Sequence, residues 1–342
     1  MKSKALVLKR KGKSNQAFEL QEIELPAIKD DEVLIESEAF GLNYVDVMAR
    51  NGLYRDAPPM PCVIGYEAVG VVVEVGRQVD QEILGKRVLA FCRFGGYGRH
   101  IITKHEAAII IEDLPSQEVL ALCTQAVTAY YMTDVLSPIN KGDKVLVHAA
   151  AGGVGSILIQ LAKRRGACVI AKVGTREKEE LVRQLGADYV INYRDKNYEQ
   201  EVRTFLEGGS IDISYNAVGG ATFKKDMKLI GAGGRLFIFG GAALSGGKFG
   251  FLSSLNFLRK MGLVIPAGLM MSSKSILGVN MLKIADHRPE VMREGLKTLI
   301  DWYRKGEIKV CVGGVFDEDK ISEAHDLLEG GKSKGKISVR WF

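Results

Sequence analysis

The first third of the chain is built from short apolar runs broken by charged and glycine positions. Residues 4–9, 32–38, 69–76, 87–91 and 99–103 are rich in β-branched or alternating apolar positions, and Gly41, Gly52, Gly65, Gly70, Gly76, Gly85, Gly95, Gly96 and Gly98 punctuate them. That spacing predicts short strands rolled into a mainly β domain. The period changes near Glu118, and residues 117–136 have helical periodicity. From there apolar segments at 144–148, 168–173, 189–192, 211–216 and 234–239 alternate with helical patterns at 155–166, 176–186, 197–207 and 222–230. Strands that are apolar on both faces, each followed by a helix, imply a parallel sheet covered by helices.

After Gly241 the alternation stops. Residues 242–275 are rich in Gly, Ser, Met and Leu; 276–279 resume as a strand, 289–305 and 319–329 as helices, and 308–316 and 335–340 as extended chain. The expected layout is a β domain over residues 1–122, a parallel α/β domain over 123–266, and a return to the β domain over 267–342.

A length of 342 residues suits about two domains at ~150 residues each. Charged residues at 26% and hydrophobic residues at 46% exclude a disordered chain, a collagen and a disulfide-knotted miniprotein. Lys and Arg total 47 against 41 Asp and Glu, a net +6 spread along the chain. A spread excess argues against nucleic acid and for an anionic small ligand. Cys62, Cys92, Cys123, Cys168 and Cys311 are odd in number and form no CxxC, the pattern of reduced thiols in a cytoplasmic protein. The apolar stretch of residues 5–8 is too short for a signal peptide. The longest apolar-looking segment, 145–162, carries His148, Gln160 and glycines and makes a poor membrane span.

The sharpest local signal is the strand at 144–148 running through Ala149, Ala150 and Ala151 into Gly152, Gly153, Val154 and Gly155. Gly152 and Gly155 take the second and third glycine places of a dinucleotide fingerprint, and Ala150 stands at the first. Small residues let the backbone approach a pyrophosphate, and the N–H groups at the helix start meet its charge. At the end of the next strand an NAD enzyme usually carries an acid for the ribose 2′-hydroxyl. Here Gly174 stands in that place, followed by Thr175, Arg176 and Lys178. A missing carboxylate with added cations fits a 2′-phosphate and so NADPH; the same cations are also what a solvated helix start would carry.

Further segments carry a resemblance over nearly the whole chain: residues 41–46 with 52–54, residues 61–70, Thr128-Ala129-Tyr130, the loop to Gly155, residues 185–188 and residues 216–219. On these the sequence resembles the medium-chain dehydrogenase/reductases of the quinone oxidoreductase (zeta-crystallin-like) branch. Its 241–274 region is similar to the vesicle amine transport protein subgroup. The resemblance implies a Rossmann doubly wound parallel sheet plus a GroES-like mainly β domain, an NADPH-dependent reductase of quinones or conjugated carbonyls, and a homodimer. It assigns Thr128, Gly152, Gly153, Val154, Gly174, Thr175, Lys178, Tyr193, Asn216, Gly240 and Gly241 to the cofactor, and Asn43, Met48 and Tyr54 to the nicotinamide and substrate wall. Tyr193 also reads as a strand-end surface tyrosine, and Asn43 with Asp46 as a helix N-cap and its N3 acid.

The zinc alcohol dehydrogenases of this superfamily hold catalytic zinc through Cys, His and Cys; the matching places here are Asn43, Tyr66 and Thr124. None is a thiolate or imidazole, so no metal is expected. Without a Lewis acid, hydrogen bonds must polarise the acceptor, and the Asn43 amide and Tyr54 hydroxyl are the candidate donors. The alternative is a vesicle- or membrane-associated NADPH-binding scaffold, for which the amphipathic segment 248–261 with basic ends is the candidate lipid contact.

Overall fold

The computed structural model describes residues 1–244 and 250–342. The chain forms two compact units, Met1–Val127 with Met281–Phe342, and Thr128–Asn280. Strands are numbered in chain order.

The first unit begins with an antiparallel hairpin, β1 (Lys2–Leu8) and β2 (Phe18–Glu24). Next come β3 (Glu32–Leu42), β4 (Glu67–Val75), β5 (Arg87–Phe91), β6 (His100–Lys104) and β7 (Ala108–Ile110). The long β3 pairs with both β4 and β6, β4 pairs β5, and β5 pairs β7, all antiparallel. Alternation along β3 feeds two cores. Val33 and Ile35 pack with Val72, Val88 and Ala108, whereas Phe40 and Leu42 join Ala68, Tyr97 and Ile101. This is the expected rolled-up β domain.

The stretch predicted as one helix over 117–136 is instead a broken helical run. Ser116–Val119 and Leu120–Leu122 end at Cys123, whose ψ of −113° is not helical, and Thr124–Tyr130 resumes before a wider π-type turn over Tyr131–Leu136. Periodicity could not show the break, because both sides of it are apolar and buried. Ser116–Leu136 is, by length and composition alone, apolar enough to cross a membrane, but most of it is buried inside the protein.

In the second unit, β8 (Lys144–Val147), β9 (Cys168–Val173), β10 (Tyr189–Asn192), β11 (Ile211–Asn216), β12 (Ile230–Ile238) and β13 (Ser275–Gly278) form a parallel sheet of order β10-β9-β8-β11-β12-β13 among the described residues. The order reverses at β8/β11, the switch point where such sheets bind ligands beyond the strand carboxyl ends. Leu146, Ile170, Ile191 and Leu236 give the sheet its apolar face toward the helices Tyr198–Phe205 and Ala221–Leu229. The unit extends past the expected limit at residue 266, because β13 pairs with β12 and so adds a strand to the parallel sheet. Its start likewise falls at Thr128 rather than 123. Between these strands lie the helices Gly250–Met261 and Pro266–Ser272. Residues 248 and 249 of the candidate lipid-contact segment lie outside the described residues.

The chain rejoins the first unit at Met281. Its β14 (Val312–Asp317) pairs parallel with β15 (Lys336–Arg340), and β15 lies antiparallel on β3, bringing Ile337 and Val339 into the core around Phe40.

Candidate functional site

In the second unit the predicted cofactor residues gather at the carboxyl ends of the parallel strands. β8 ends in a loop in which Ala149 takes a left-handed φ of 49°, a conformation that costs a residue other than glycine ~1 kcal/mol. The tight turn this makes is closed by Gly152 N–H donating to the Ala149 carbonyl at 2.9 Å. Gly152 is the extended N-cap of the helix Gly153–Arg164, which has no acidic residue in its first turn. Val154 in that turn is half-buried. A Cβ on Gly155 would stand 2.5 Å from the Ala149 carbonyl oxygen and 2.7 Å from the Ala150 Cα, so only glycine lets helix and loop pack. The result is a helix N-terminus with no side-chain cap and no acid in its first turn, which favours an anion.

Beside it, β9 ends at Val173, and Gly174 is buried against Tyr193: a Cβ there would lie 2.7 Å from the tyrosine hydroxyl oxygen. Tyr193 is held at that place by its N–H donating to the Val173 carbonyl at 3.0 Å, while its side chain is 49% exposed. Thr175 is the extended N-cap of the helix Arg176–Gln184, whose first turn carries Lys178, half-buried, between Glu177 and Glu179. At the other side of the switch point, Gly240 lies so close to the turn after β11 that a Cβ would meet the Ala217 carbonyl at 2.6 Å. Gly241 follows it and is buried. Thr128 is buried at the start of the unit.

Asn216 is fully buried, and its side chain shapes this turn. Its amide nitrogen donates to Asp226 at 2.6 Å, and its carbonyl accepts from the Val218 and Gly219 N–H groups at 2.9 Å. Its influence on a ligand therefore passes through the turn.

Asp226 itself is the centre of a polar network that sequence reasoning missed. It accepts from His148 Nε2 at 2.9 Å, Tyr198 Oη at 2.9 Å and Ser214 Oγ at 2.8 Å as well as from Asn216. Burial alone would raise its carboxyl, but the His148, Ser214 and Asn216 donors hold it below the ordinary range. Lys172, buried near the end of β9, donates to His148 Nδ1 at 3.3 Å. Burial keeps His148 neutral, so Nδ1 accepts and Nε2–H donates to Asp226. The visible signal was a lysine inside an otherwise apolar strand.

Asn43, Met48 and Tyr54 belong to the first unit. Asn43 caps the helix Tyr44–Arg50, and Asp46 accepts from its backbone N–H at 2.8 Å, so the capping geometry is real. Its side chain is also held: Nδ2 donates to Glu67 Oε1 at 2.9 Å and Oδ1 accepts from Lys336 Nζ at 3.1 Å. Lys336 and Glu67 form a wholly buried ion pair, and Glu67 Oε2 accepts from the Thr124 N–H at 2.7 Å. Two of the places that hold zinc in the alcohol dehydrogenases, Asn43 and Thr124, are thus tied to a carboxylate already neutralised by a lysine. Tyr66, at the third, meets Tyr54 edge to face, with ring centroids 6.5 Å apart. Met48 is half-buried on the Asn43 helix. Among the described residues no group of three or more His, Cys, Asp or Glu could hold a metal.

The chain is similar to known proteins over nearly its whole length. The alcohol dehydrogenase GroES-like domain family matches residues 29–113, and the zinc-binding dehydrogenase family matches residues 153–301. A synaptic vesicle membrane protein VAT-1 homolog of Danio rerio is 29% identical over 314 residues, 91% of this chain but only 64% of that protein. A 2-haloacrylate reductase of Burkholderia sp is 28% identical over 339 residues, 97% of both chains. Among solved structures, the Escherichia coli quinone oxidoreductase complexed with NADPH is 26% identical with a TM-score of 0.84, covering 98% of this chain and 99% of that one.

Proposed function

Because the chain belongs to the medium-chain dehydrogenase/reductase superfamily, we infer that it is an NADPH-dependent oxidoreductase that reduces quinones or α,β-unsaturated carbonyl compounds without zinc. The observation that carries this reading is the carboxyl edge of the parallel sheet. Its glycine loop opens an uncapped helix, and β9 is followed by Gly174 where an NAD enzyme would place an acid, with Thr175 and Lys178 beyond it. Gly155 lets the helix start pack onto the loop, and that helix start has no side-chain cap and no acid in its first turn, so the residues present fit the anionic cofactor. The NADPH-bound Escherichia coli quinone oxidoreductase and the Burkholderia haloacrylate reductase support the cofactor and the acceptor class.

When bound, NADPH supplies a hydride. The helix N-terminus at Gly152–Val154 would meet its pyrophosphate, Thr128 and the turn shaped by Asn216 with Gly240 and Gly241 would border it, and Lys178 with Thr175 and Tyr193 would meet its 2′-phosphate. A quinone or enone accepts hydride into a delocalised anion, which needs hydrogen-bond donors rather than a metal. Tyr54 offers its hydroxyl. Asn43 is rigidly held by Glu67 and Lys336, and an amide has two N–H groups; the one not given to Glu67 is assigned to the acceptor. Met48 lies on the same helix, and the family resemblance assigns it to the nicotinamide. Solvent returns the proton.

A homodimer in the cytoplasm fits best. The helices around Leu258, Leu263, Ile265, Met270 and Met271 expose large apolar side chains, and β13 ends the parallel sheet beside them. The same surface favours the second reading, an NADPH-binding scaffold at a vesicle membrane, as the VAT-1 homolog's name suggests. A screen of NADPH consumption across quinones, enones and acyl-CoA enones, run beside liposome flotation, separates them. The reductase reading expects turnover with at least one acceptor class and no flotation; flotation without turnover would overturn it.

A further inference from the structure

Lys172 is the buried group that neither the fold nor the glycine loop explains. An ammonium inside a sheet is expensive unless something replaces its water. Here the replacement comes from three elements. His148, just past β8, accepts at 3.3 Å; the Tyr198 ring, from the helix Tyr198–Phe205, lies 3.9 Å from Nζ; the Tyr193 ring, following β10, has its centroid 5.1 Å from Nζ. From the helix Ala221–Leu229, Asp226 compensates the charge through His148 and Tyr198, while Lys225, paired with Glu199 at 3.1 Å, approaches the same Tyr198 ring at 5.3 Å. The ammonium therefore lies behind Tyr193, and the hydroxyl of Tyr193 covers Gly174, the place where a carboxylate would reject a 2′-phosphate.

Resting on the dinucleotide reading above, we propose that Lys172 is a specificity-determining positioning residue: it fixes the Tyr193 ring across Gly174 and sets a buried positive charge behind it, so that 2′-phosphorylated nucleotides bind in preference to unphosphorylated ones. The ring is held by cation–π attraction. The charge acts over a short, poorly solvated path where it is weakly screened. Lys178 contacts the phosphate from the solvent side; Lys172 acts from within, through Tyr193.

The charge is switchable. Burial, aided by Lys225 and opposed by Asp226, brings the Lys172 ammonium down to about 8. Below that pH the preference is complete, and it falls as pH rises through it. A phosphate monoester loses its second proton near ~6, and His148 is held neutral, so neither changes charge between pH 7 and 9.5.

The test is calorimetric and needs no turnover. Affinities of 2′,5′-ADP and 5′-ADP are measured at pH 7 and 9.5 for the wild type, Lys172→Met and Lys172→Arg, with thermal melts to verify folding. The expected wild-type preference for 2′,5′-ADP falls about fivefold from pH 7 to 9.5, the size of one charge acting through partly solvated protein. Lys172→Met shows the lower preference at both pH values, and Lys172→Arg keeps the higher one at both. A wild-type preference that does not change with pH, or that Lys172→Met leaves intact, overturns the proposal while the dinucleotide site stands. If both variants fail to fold, the pH profile of Tyr193→Phe, which keeps the ring over Lys172 and removes the phenol proton, decides: the same fall supports the proposal and its absence overturns it. Binding of neither nucleotide to the wild type overturns the dinucleotide reading and this proposal together.

Discussion

Asp46 is wholly buried beside the Lys336–Glu67 pair, and burial pushes its carboxyl up to about 7, with Glu67 adding to the rise and the Asn43 N–H and Lys336 opposing it. An acid raised on folding stabilises the native state while protonated. That contribution is full below the unfolded value of ~3.9 and is lost as pH rises through about 7. Asp46→Asn keeps an acceptor for the Asn43 N–H. It should melt with the wild type near pH 4 and above it at pH 8; a gap in melting temperature that does not change with pH would contradict this. Tyr54 and Asn43 divide differently. Tyr54→Phe removes a half-buried hydroxyl beside Tyr66, so kcat should fall about tenfold, ~1.4 kcal/mol, with no more than ~1 kcal/mol lost from stability. Asn43→Ala strips a partner from both buried charges and should lose ~1–3 kcal/mol of stability as well as activity. Steady-state kinetics beside melts on both variants distinguish a donor from a pure cap, which would leave kcat intact.

At the scale of elements, the glycine loop makes the firmest forecast. A Cβ at residue 155 would meet backbone at 2.5 Å, not a side chain that can turn aside. Gly155→Ala must therefore shift the loop or the helix Gly153–Arg164, and NADPH affinity should drop at least tenfold, with ~1–3 kcal/mol lost from stability. Unchanged affinity would mean the loop does not hold the pyrophosphate. Lys178→Ala should weaken NADPH and spare NADH; equal losses would remove it from the phosphate. These elements were legible because burial on both faces writes largely apolar strands such as 168–173, and because the loop sits between a strand and a helix. The break at Cys123 was not, since both sides of it are buried. Nor was the pairing of β13 with β12, which crosses a long stretch without alternation. The network around Asp226 and the identity of the partners of Glu67 escaped for a plainer reason. Their members stand far apart in sequence, as His148 and Asp226 or Asn43 and Lys336 do, and a buried lysine or acid has no local pattern.

For the molecule as a whole, the Lys336–Glu67 pair bears on metal content. Asn43 and Thr124 are bound to a carboxylate whose charge a lysine already balances, so a divalent cation there would face Lys336 at close range. Purified protein is expected to carry no stoichiometric zinc, and elemental analysis finding about one zinc per chain would contradict that. The central claim is hydride transfer from NADPH to a conjugated acceptor without a metal. Its most direct measurement uses chelator-treated protein, NADPH deuterated at the transferred position of the nicotinamide, and a panel of enones beside 9,10-phenanthrenequinone. The account predicts NADPH oxidation with deuterium retained on carbon in the reduced enone, undiminished by the chelator. NADPH that binds but is never oxidised by any acceptor, or oxidation that stops when metal is removed, would contradict it.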